Sequence, residues 1–226
     1  MTRVFHDRFG ARAKLEDSAE HGGSAELFLV EGDSAAAAVT RVRDPRRQAV
    51  LPMQGKPLNA ARASRSKVLA HPFFEPLIAA VGAGVEAQCT PHRSRYGRVL
   101  VLTDPDADGI HCGFLTLLFF HRFMRPLLDA GRVQLVRPPW GEVVAAGELL
   151  LAFSEPELAA LADRSRVRGE ISIRRYRGLA AIDAAVIHET CVDPPTRRTI
   201  NVSAADVAGM VEVIDALEPE GPGSDA

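Results

Sequence analysis

Short, continuous runs of apolar residues, each ended by polar residues, are the main recurring pattern in this chain. They occur at Leu27–Val30, Ala49–Met53, Val99–Leu102 and Val133–Val136. An uninterrupted apolar run of this length is typical of a strand that is buried on both faces of a parallel sheet. Longer segments with helical spacing separate the runs. This alternation predicts an α/β fold in which helices flank a parallel sheet.

Helical spacing is found in five segments. The predicted helices run from Asp33 to about Val42, Asn59 to Leu69, Phe74 to Val81, Ile110 to Ala130 and Ala204 to Leu217. Asp33 and Ser34 offer side-chain oxygens that can cap the first of these helices. Gly131 is a typical residue to end the long one.

The pattern divides the chain into four parts. Residues 1–25 have no clear period and predict a flexible N-terminal arm, and residues 26–145 hold the main α/β domain. From about residue 146 two further strand candidates surround a short helix, which predicts a small C-terminal α+β appendage that ends at residue 217. The acidic segment 218–226 is rich in proline and glycine and predicts a disordered tail.

Composition places the chain among soluble proteins. Apolar residues make up 46% and charged residues 25% of its 226 residues, which is ordinary for a globular domain. Cys89, Cys112 and Cys191 lie too far apart to suggest a zinc site or a disulfide framework, so a reducing cytoplasm is expected. The N-terminus lacks the apolar core of a signal peptide, and the longest apolar run, Phe114–Phe120, is too short to span a bilayer.

Charge is unevenly distributed although the formal net charge is only −2. Arginines collect in Arg41–Arg47, in Arg93–Arg95 and between Arg164 and Arg177. Such runs are often only solvated surface. They could also hold phosphates, because that interaction depends on local contacts rather than on total charge.

Three aspartates follow the third apolar run at a spacing of two: Asp104, Asp106 and Asp108. After a buried parallel strand they are expected at the carboxyl edge of the sheet, where open α/β folds bind ligands. Three anions this close repel one another unless a cation lies among them. Carboxylate oxygens suit Mg²⁺ or Mn²⁺.

Three other interpretations of the aspartates stay open at this point. A calcium-binding EF-hand loop also begins with alternating aspartates, but its twelfth position should be glutamate and here is Leu115. That loop also follows a helix, whereas this one follows a strand. A phosphatase of the haloacid dehalogenase type places two aspartates after a buried strand as well. The aspartates could also form a solvated turn that caps a helix.

Glu31 follows the first apolar run, and its presence makes a metal site a more specific interpretation of the aspartates. Neighbouring parallel strands bring their C-terminal loops to one place, so we expect Leu27–Val30 and Val99–Leu102 to be adjacent and Glu31 to face the aspartates. Clustered carboxylates then raise one another's pKa. Lys56, on a turn next to Gly55, could contact a phosphate or could be a solvated loop lysine.

Two segments resemble the signatures of the Toprim fold, namely Glu31–Ala35 and Asp104–Gly109. They are most similar to those of the B subunits of bacterial type IIA topoisomerases, DNA gyrase and topoisomerase IV. Other segments, roughly within residues 12–202, resemble the same family: Lys14–Asp17, Leu51–Asn59, Gly82–Gly84, Phe123–Leu127, Arg137–Pro139, Arg175–Leu179 and Asp193–Arg198.

The resemblance implies Mg²⁺-dependent, reversible cleavage of duplex DNA. It implies that Glu31 acts as general acid or base at the 3′ oxygen and that Glu31, Asp104, Asp106 and Asp108 hold Mg²⁺, with Mn²⁺ as a possible substitute. Lys56, Arg175 and Arg177 would contact DNA, and an A-type subunit would supply the attacking tyrosine. This division of roles agrees with known catalytic chemistry: a metal stabilises the charge on the phosphate, and a nearby carboxyl transfers the proton. The expected location is the cytoplasm, on the nucleoid.

Departures from the family pattern leave two functions open. The first 25 residues cannot hold an ATP-binding region, and neither Tyr96 nor Tyr176 lies in a motif for the nucleophile. The family's Tyr-Lys-Gly-Leu-Gly-Glu-Met has become Tyr176–Ile182, which lacks a glycine and the glutamate, and no docking segment is matched after Val202. We therefore expect a shortened, stand-alone Toprim protein that is inactive alone. It would be part of a topoisomerase or a non-catalytic module that binds metal, DNA or gyrase subunits.

Overall fold

Strands and helices alternate along the chain as the apolar runs predict. A computed structural model describes residues 14–217. The strands are β1 (Gly22–Glu31), β2 (Gln48–Met53), β3 (Tyr96–Leu102), β4 (Val133–Val136), β5 (Gly141–Ala145), β6 (Glu148–Ala152), β7 (Ile171–Arg175) and β8 (Thr199–Asn201). The α-helices are α1 (Gly32–Thr40), α2 (Arg65–Leu69), α3 (Phe74–Val81), α4 (Ala107–Phe123), α5 (Arg125–Asp129), α6 (Glu155–Ser165), α7 (Ala184–Ile187) and α8 (Ala204–Leu217).

The main sheet has the strand order β2-β1-β3-β4-β8. Its first four strands are parallel, and β8 pairs antiparallel with β4. Leu27 lies opposite Val99 and Val30 opposite Leu102, so the predicted adjacency of these two runs is confirmed. The α/β fold with a parallel sheet flanked by helices is likewise confirmed.

Both faces of the main sheet are covered, which explains why its strands are apolar without interruption. On β1, Leu27 and Leu29 point into a core shared with α3 and α4, while Phe28 and Val30 point into a second core with α1. All four side chains have no exposed surface. Burying each side chain of this size stabilises the fold by roughly 1.5–3 kcal/mol. A shift of β1 by one residue would move every side chain to the other face, so packing on both faces fixes the pairing of β1 with its neighbours.

A second, smaller sheet has the antiparallel order β6-β5-β7 and packs against α6. Strand β5 was not predicted, and it pairs with the second sheet rather than with the first. Strand pairing therefore places the division between the sheets before Gly141, not after residue 145. The chain then returns to the main sheet through β8, and α8 lies against α4 and α5. Residues 146–217 are thus not one continuous appendage.

The prediction of a flexible arm is wrong for residues 14–25. Glu16 and Val50 exchange backbone hydrogen bonds of 2.9 Å, and the Tyr96 hydroxyl donates to Asp17 Oδ1 at 2.6 Å. Residues 1–13 and the predicted acidic tail 218–226 lie outside the described residues. Within the described range, none of the helices combines the length and the apolar character needed to cross a membrane.

Three predicted helices differ in detail. The long helix breaks at Met124, because Pro126 has no amide hydrogen to donate to the carbonyl of Arg122 and its ring would clash with that carbonyl, whereas proline is tolerated in the first turn of a new helix, α5. The segment after Asn59 forms a turn first, since the Asn59 side chain accepts the amide of Ala61 at 3.0 Å. No side-chain cap is present on α1, where Glu31 holds the capping position and Asp33 pairs with Lys14 instead.

Candidate metal and phosphate site

Strands β1 and β3 bring the predicted site residues to one edge of the main sheet. Glu31 is the last residue of β1, and Asp104 comes two residues after β3 ends at Leu102. Because the two strands are adjacent, parallel and in register, their end loops meet at the carboxyl edge. We call this region, from Glu31 to the loop Asp104–Asp108, the carboxyl-edge site.

The Glu31 carboxyl is only partly satisfied by its neighbours. The Cys112 thiol donates a weak hydrogen bond to Oε1 at 3.6 Å, while the buried Oε2 has no hydrogen-bond partner among residues 14–217. Burial raises the pKa of Glu31, and the negative charges of Asp104 and Asp106 raise it further. The predicted repulsion between carboxylates thus contributes to the raised pKa of Glu31, but burial is the larger cause.

Asp104 is held by a segment far away in the sequence. Its Oδ1 accepts the backbone amide of Leu179 at 2.8 Å. Burial raises the pKa of Asp104; the Leu179 hydrogen bond opposes this rise, and the charge of Asp106 adds to it. A backbone contact of this kind has no signature in residue spacing, and sequence reasoning did not predict it.

Asp106 and Asp108 have other partners in this structure. Asp106 caps α4, since its Oδ1 accepts the amide of Gly109 at 2.9 Å. Asp108 pairs with Lys56 across 3.2 Å, and both side chains are largely solvent-exposed. Gly109 is required here, because a Cβ atom at this position would lie 2.1 Å from the Asp104 carbonyl oxygen.

The part of the chain from residue 14 to 217 contains no group of three or more His, Cys, Asp or Glu side chains placed to hold a metal ion. In this arrangement Asp104, Asp106 and Asp108 each bind a different partner. The donor chemistry nevertheless fits a hard divalent cation, because all the predicted ligands are carboxylates. The buried Glu31 Oε2 supports this fit, since an acceptor without a donor is the group that a cation satisfies.

A pocket of about 320 Å³ opens at the site. It is lined by Glu31, Gly32, Met53, Gly55, Lys56, Asp108 and Cys112. Cys112 was not predicted as a site residue. The signal was present, because Cys112 follows Asp108 by four residues and i, i+4 side chains share one face of a helix. The pocket thus joins two predicted metal ligands, Glu31 (also the predicted acid or base) and Asp108, with the predicted phosphate contact Lys56.

The other two predicted DNA contacts lie on the segment that reaches Asp104. The Arg175 guanidinium is exposed and stacks over the Trp140 ring at 4.4 Å, and Arg177 is exposed. They flank Tyr176, just before Gly178 and Leu179.

Neither tyrosine is available as a nucleophile. Tyr96 is buried, and its pKa lies well above the usual range because of burial and the hydrogen bond to Asp17. Tyr176 is also buried and donates to Glu142, and burial with this bond raises its pKa to about 12. A tyrosine that attacks DNA must be exposed, so neither hydroxyl can serve.

A parallel sheet with a glutamate at the end of one strand and an Asp-x-Asp-x-Asp loop after its neighbour is the arrangement of a Toprim domain. The Toprim domain family matches residues 26–138, which is half of the chain, and the chain belongs to this family. The resemblance drawn from the two motifs is therefore confirmed.

Within that family, the chain is similar to the DNA gyrase B protein. It is 37% identical to the gyrase B protein of Thermotoga maritima over 213 residues, which cover 93% of this chain and 33% of that protein. The corresponding protein of Archaeoglobus fulgidus is 34% identical over 208 residues, 92% of this chain and 32% of that protein. The gyrase B protein of Halalkalibacterium halodurans is 33% identical over 205 residues, which cover 90% of this chain and 32% of that protein. The chain thus spans about a third of these relatives and corresponds to a Toprim region like that of the gyrase B proteins.

Proposed function

We propose that the chain provides the metal- and phosphate-handling part of a type IIA topoisomerase. With a tyrosine-bearing A-type subunit, it would cleave and rejoin duplex DNA in the presence of Mg²⁺. The observation that carries this proposal is the juxtaposition of Glu31 with Asp104 at the ends of two adjacent parallel strands, with a carboxylate oxygen of Glu31 buried and unpartnered among residues 14–217. Such a protein would work in the cytoplasm, on the nucleoid.

Glu31 is the residue suited to proton transfer. Its raised pKa keeps the protonated form accessible closer to neutral pH, which a carboxyl needs if it is to return a proton to the 3′ oxygen. Glu31, Asp104, Asp106 and Asp108 would hold the cation, Mg²⁺ or Mn²⁺, which when bound supplies positive charge to the phosphate. For this, Asp106 and Asp108 would have to exchange their present partners for the cation.

DNA would be bound by cations around the carboxyl-edge site. Lys56 lines the same pocket as Glu31, so a phosphate held by Lys56 would lie close to the Glu31 carboxyl. Arg175 and Arg177 are exposed on the neighbouring segment and would bind phosphates further along the backbone. Binding of this type should weaken steeply as salt is raised.

The cleavage assay tests the proposed role of Glu31. Supercoiled plasmid is incubated with Mg²⁺, the chain and the gyrase A protein from the same organism, and linear DNA is quantified after denaturation. We expect cleavage only when both proteins are present, and we expect Glu31→Ala to abolish it without weakening DNA binding. The matched control is Glu20→Ala, a glutamate outside the site. Relaxation by the chain alone, or cleavage that survives Glu31→Ala, would refute the proposed mechanism.

A metal titration tests the ligand assignment. Mg²⁺ or Mn²⁺ should raise the melting temperature of the chain, because it binds the folded state better than the unfolded one. The double variant Asp106→Asn, Asp108→Asn should lose this rise. If it responds to the cation as the wild type does, the carboxyl-edge site is not where the cation binds.

One observation favours the second candidate, a non-catalytic module that binds metal, DNA or a gyrase protein. The segment that contacts Asp104 is the one in which Ala180 and Ala181 replace the glycine and glutamate of the family, and both alanines are exposed. A module of this kind would bind the gyrase A protein or DNA yet support no cleavage in any combination. The cleavage assay therefore separates the two functions.

A further inference from the structure

The segment Tyr176–Ile182, which we call the latch, is fixed by buried side chains. Tyr176, Leu179 and Ile182 are 1%, 0% and 3% exposed and belong to the core on the α1 side of the main sheet. Apolar anchors therefore lie at both ends and in the middle of the segment. The backbone between them has little freedom to move, because each anchor is packed on several sides.

The latch approaches Asp104 through its backbone. The Leu179 amide donates to Asp104 Oδ1 at 2.8 Å, and Gly178 precedes it in an extended conformation. A Cβ atom on Gly178 would lie 3.1 Å from Asp104 Oδ2 and 3.4 Å from the carboxyl carbon. Glycine is favoured here for space rather than for its dihedral angles, since a side chain at this position would force the Asp104 carboxylate to shift by a few tenths of an ångström.

The second sheet holds the start of the latch. The Tyr176 amide donates to the carbonyl of Trp140 at 3.0 Å, and the Tyr176 hydroxyl donates to Glu142 on β5. Arg174 on β7 also binds Glu142, at 2.8 Å. The two strands and the latch thus form one hydrogen-bonded unit, which delivers the Leu179 amide to a fixed position at the carboxyl edge.

We infer that Gly178 and Leu179 are positioning residues for the cation site, in which the Leu179 amide fixes the orientation of the Asp104 carboxylate. This inference rests on the proposed metal-binding function. A carboxylate with one oxygen bound to a rigid backbone amide can present its other oxygen in only one direction. Partners that orient a metal ligand in this way typically change metal affinity by about 10- to 100-fold when they are removed. The role also gives the small second sheet a function, since it supports the latch.

Paired substitutions at Leu179 separate the amide from the side chain. Leu179→Ala and Leu179→Pro both remove the buried leucine, but only proline removes the amide hydrogen. The extended backbone of Gly178 is compatible with a following proline. Mn²⁺ binding is measured by the loss of the free-ion signal in electron paramagnetic resonance, which needs no DNA and no partner protein. We expect Leu179→Pro to bind Mn²⁺ about 10-fold more weakly than Leu179→Ala.

Gly178→Ala is a second test that keeps the leucine and its amide. Because its Cβ atom would press against Asp104 Oδ2, we expect Mn²⁺ binding to weaken by several fold while the circular dichroism spectrum stays that of the wild type. Hydrogen exchange provides a readout without metal. The Leu179 amide should exchange at least about 10-fold faster in Asp104→Ala than in the wild type, because it loses its acceptor.

The outcomes distinguish the inference from the function on which it rests. Equal Mn²⁺ affinity in Leu179→Pro and Leu179→Ala, with Asp104→Asn clearly weaker, would refute positioning by the latch and leave the metal site standing. Wild-type Mn²⁺ affinity in Asp104→Asn would refute the metal site itself, and the inference with it. An unchanged exchange rate of the Leu179 amide in Asp104→Ala would show that the hydrogen bond does not exist in solution.

Discussion

Strand β1 carries two glutamates with opposite surroundings. Midway along the strand, the Glu26 side chain is 4% exposed and accepts hydrogen bonds from Arg197, Arg98 and Gln48. At its end, Glu31 accepts a weak hydrogen bond from the Cys112 thiol at Oε1, while its buried Oε2 has no partner within residues 14–217. Burial alone would raise both pKa values, but the bonds to Arg197 and Gln48 outweigh it and lower the pKa of Glu26, whereas the pKa of Glu31 is raised.

The difference shows that one strand can carry both a glutamate that stabilises the fold, Glu26, and a glutamate that is available for chemistry, Glu31. The bidentate pair between Glu26 and Arg197 ties β1 to the loop before β8, and the charge of each partner is compensated by the other. Glu31 is left uncompensated, which destabilises the fold locally but leaves a carboxyl ready for a proton or a cation. Strained or unsatisfied groups of this kind are common at functional sites.

The largest effect is expected from Glu26→Ala. The substitution leaves the guanidinium of Arg197, only 4% exposed, without its counter-charge, and breaking one side of a buried pair costs about 3–5 kcal/mol. Urea unfolding monitored by circular dichroism measures the loss. Glu20→Ala, which removes a solvent-exposed pair with Arg46, is the control and should leave the midpoint nearly unchanged. A similar loss of stability in both variants would mean that the loss does not depend on burial of the ion pair.

A smaller loss is expected from Tyr96→Phe, at the end of β1 and β3 opposite the carboxyl-edge site. The variant removes the hydroxyl that donates to Asp17 at 2.6 Å, while Arg95 and His21 still bind this carboxylate. We expect the free energy of unfolding to fall by about 1–2 kcal/mol, with Mn²⁺ affinity unchanged. Altered Mn²⁺ binding would show that the two ends of the strands are coupled, and would contradict the division of β1 into a stabilising part and a metal-binding part.

Glu31→Gln should stabilise the metal-free protein by about 0.5–2 kcal/mol at neutral pH. Since the folded-state pKa of Glu31 is raised, its favourable contribution is complete below the unfolded pKa, near 4.5, and is lost as pH rises through the folded pKa. The gain in the variant should therefore be absent at low pH and grow as pH rises. Urea unfolding in chelator at several pH values checks this, and a gain that is constant with pH would contradict it.

Lys56→Met should have the smallest effect on stability. Its pair with Asp108 is exposed, unlike that of Glu26, and such pairs contribute less than about 0.5 kcal/mol. If Lys56 binds a phosphate as proposed, the slope of log affinity for DNA against log salt should decrease by about one. A large loss of stability would show that the exposed pair helps to hold the carboxyl-edge loops, and a slope equal to that of wild type would exclude the phosphate contact.

The four parallel strands and the placement of Glu31 and Asp104 could be predicted because they depend on short-range patterns. A run such as Leu27–Val30 is apolar at every position only if both sheet faces are buried, and parallel neighbours then bring their polar end residues together. Strand β5 was missed because Gly141 and Glu142 interrupt its apolar pattern. Its Glu142 is buried only because Tyr176 and Arg174, more than 30 residues later, supply hydrogen-bond partners.

The hydrogen-bond partners of the site residues could not be predicted from short-range sequence patterns. The latch amide at Leu179 lies 75 positions after Asp104, and a backbone donor has no residue type by which it could be recognised. The helix break at Met124 could have been predicted from Pro126, but the helical spacing on both sides concealed it. Asp106 was correctly seen as a possible helix cap in one interpretation, yet only the structure shows that the cap is formed.

The pairing of Glu26 with Arg197 spans 171 positions of the sequence and also bears on how the chain folds during translation. Strand β1 is synthesised before Arg197, so its Glu26 carboxylate lacks the buried guanidinium that neutralises it until Arg197 leaves the ribosome. Strand β8, which completes the edge of the main sheet, follows only two residues after Arg197. Contacts this distant in sequence slow folding, because a long loop must close before they form. A nascent chain halted before residue 197 would thus expose both an incompletely paired charge and the open edge of β4, and an unpaired strand edge favours aggregation.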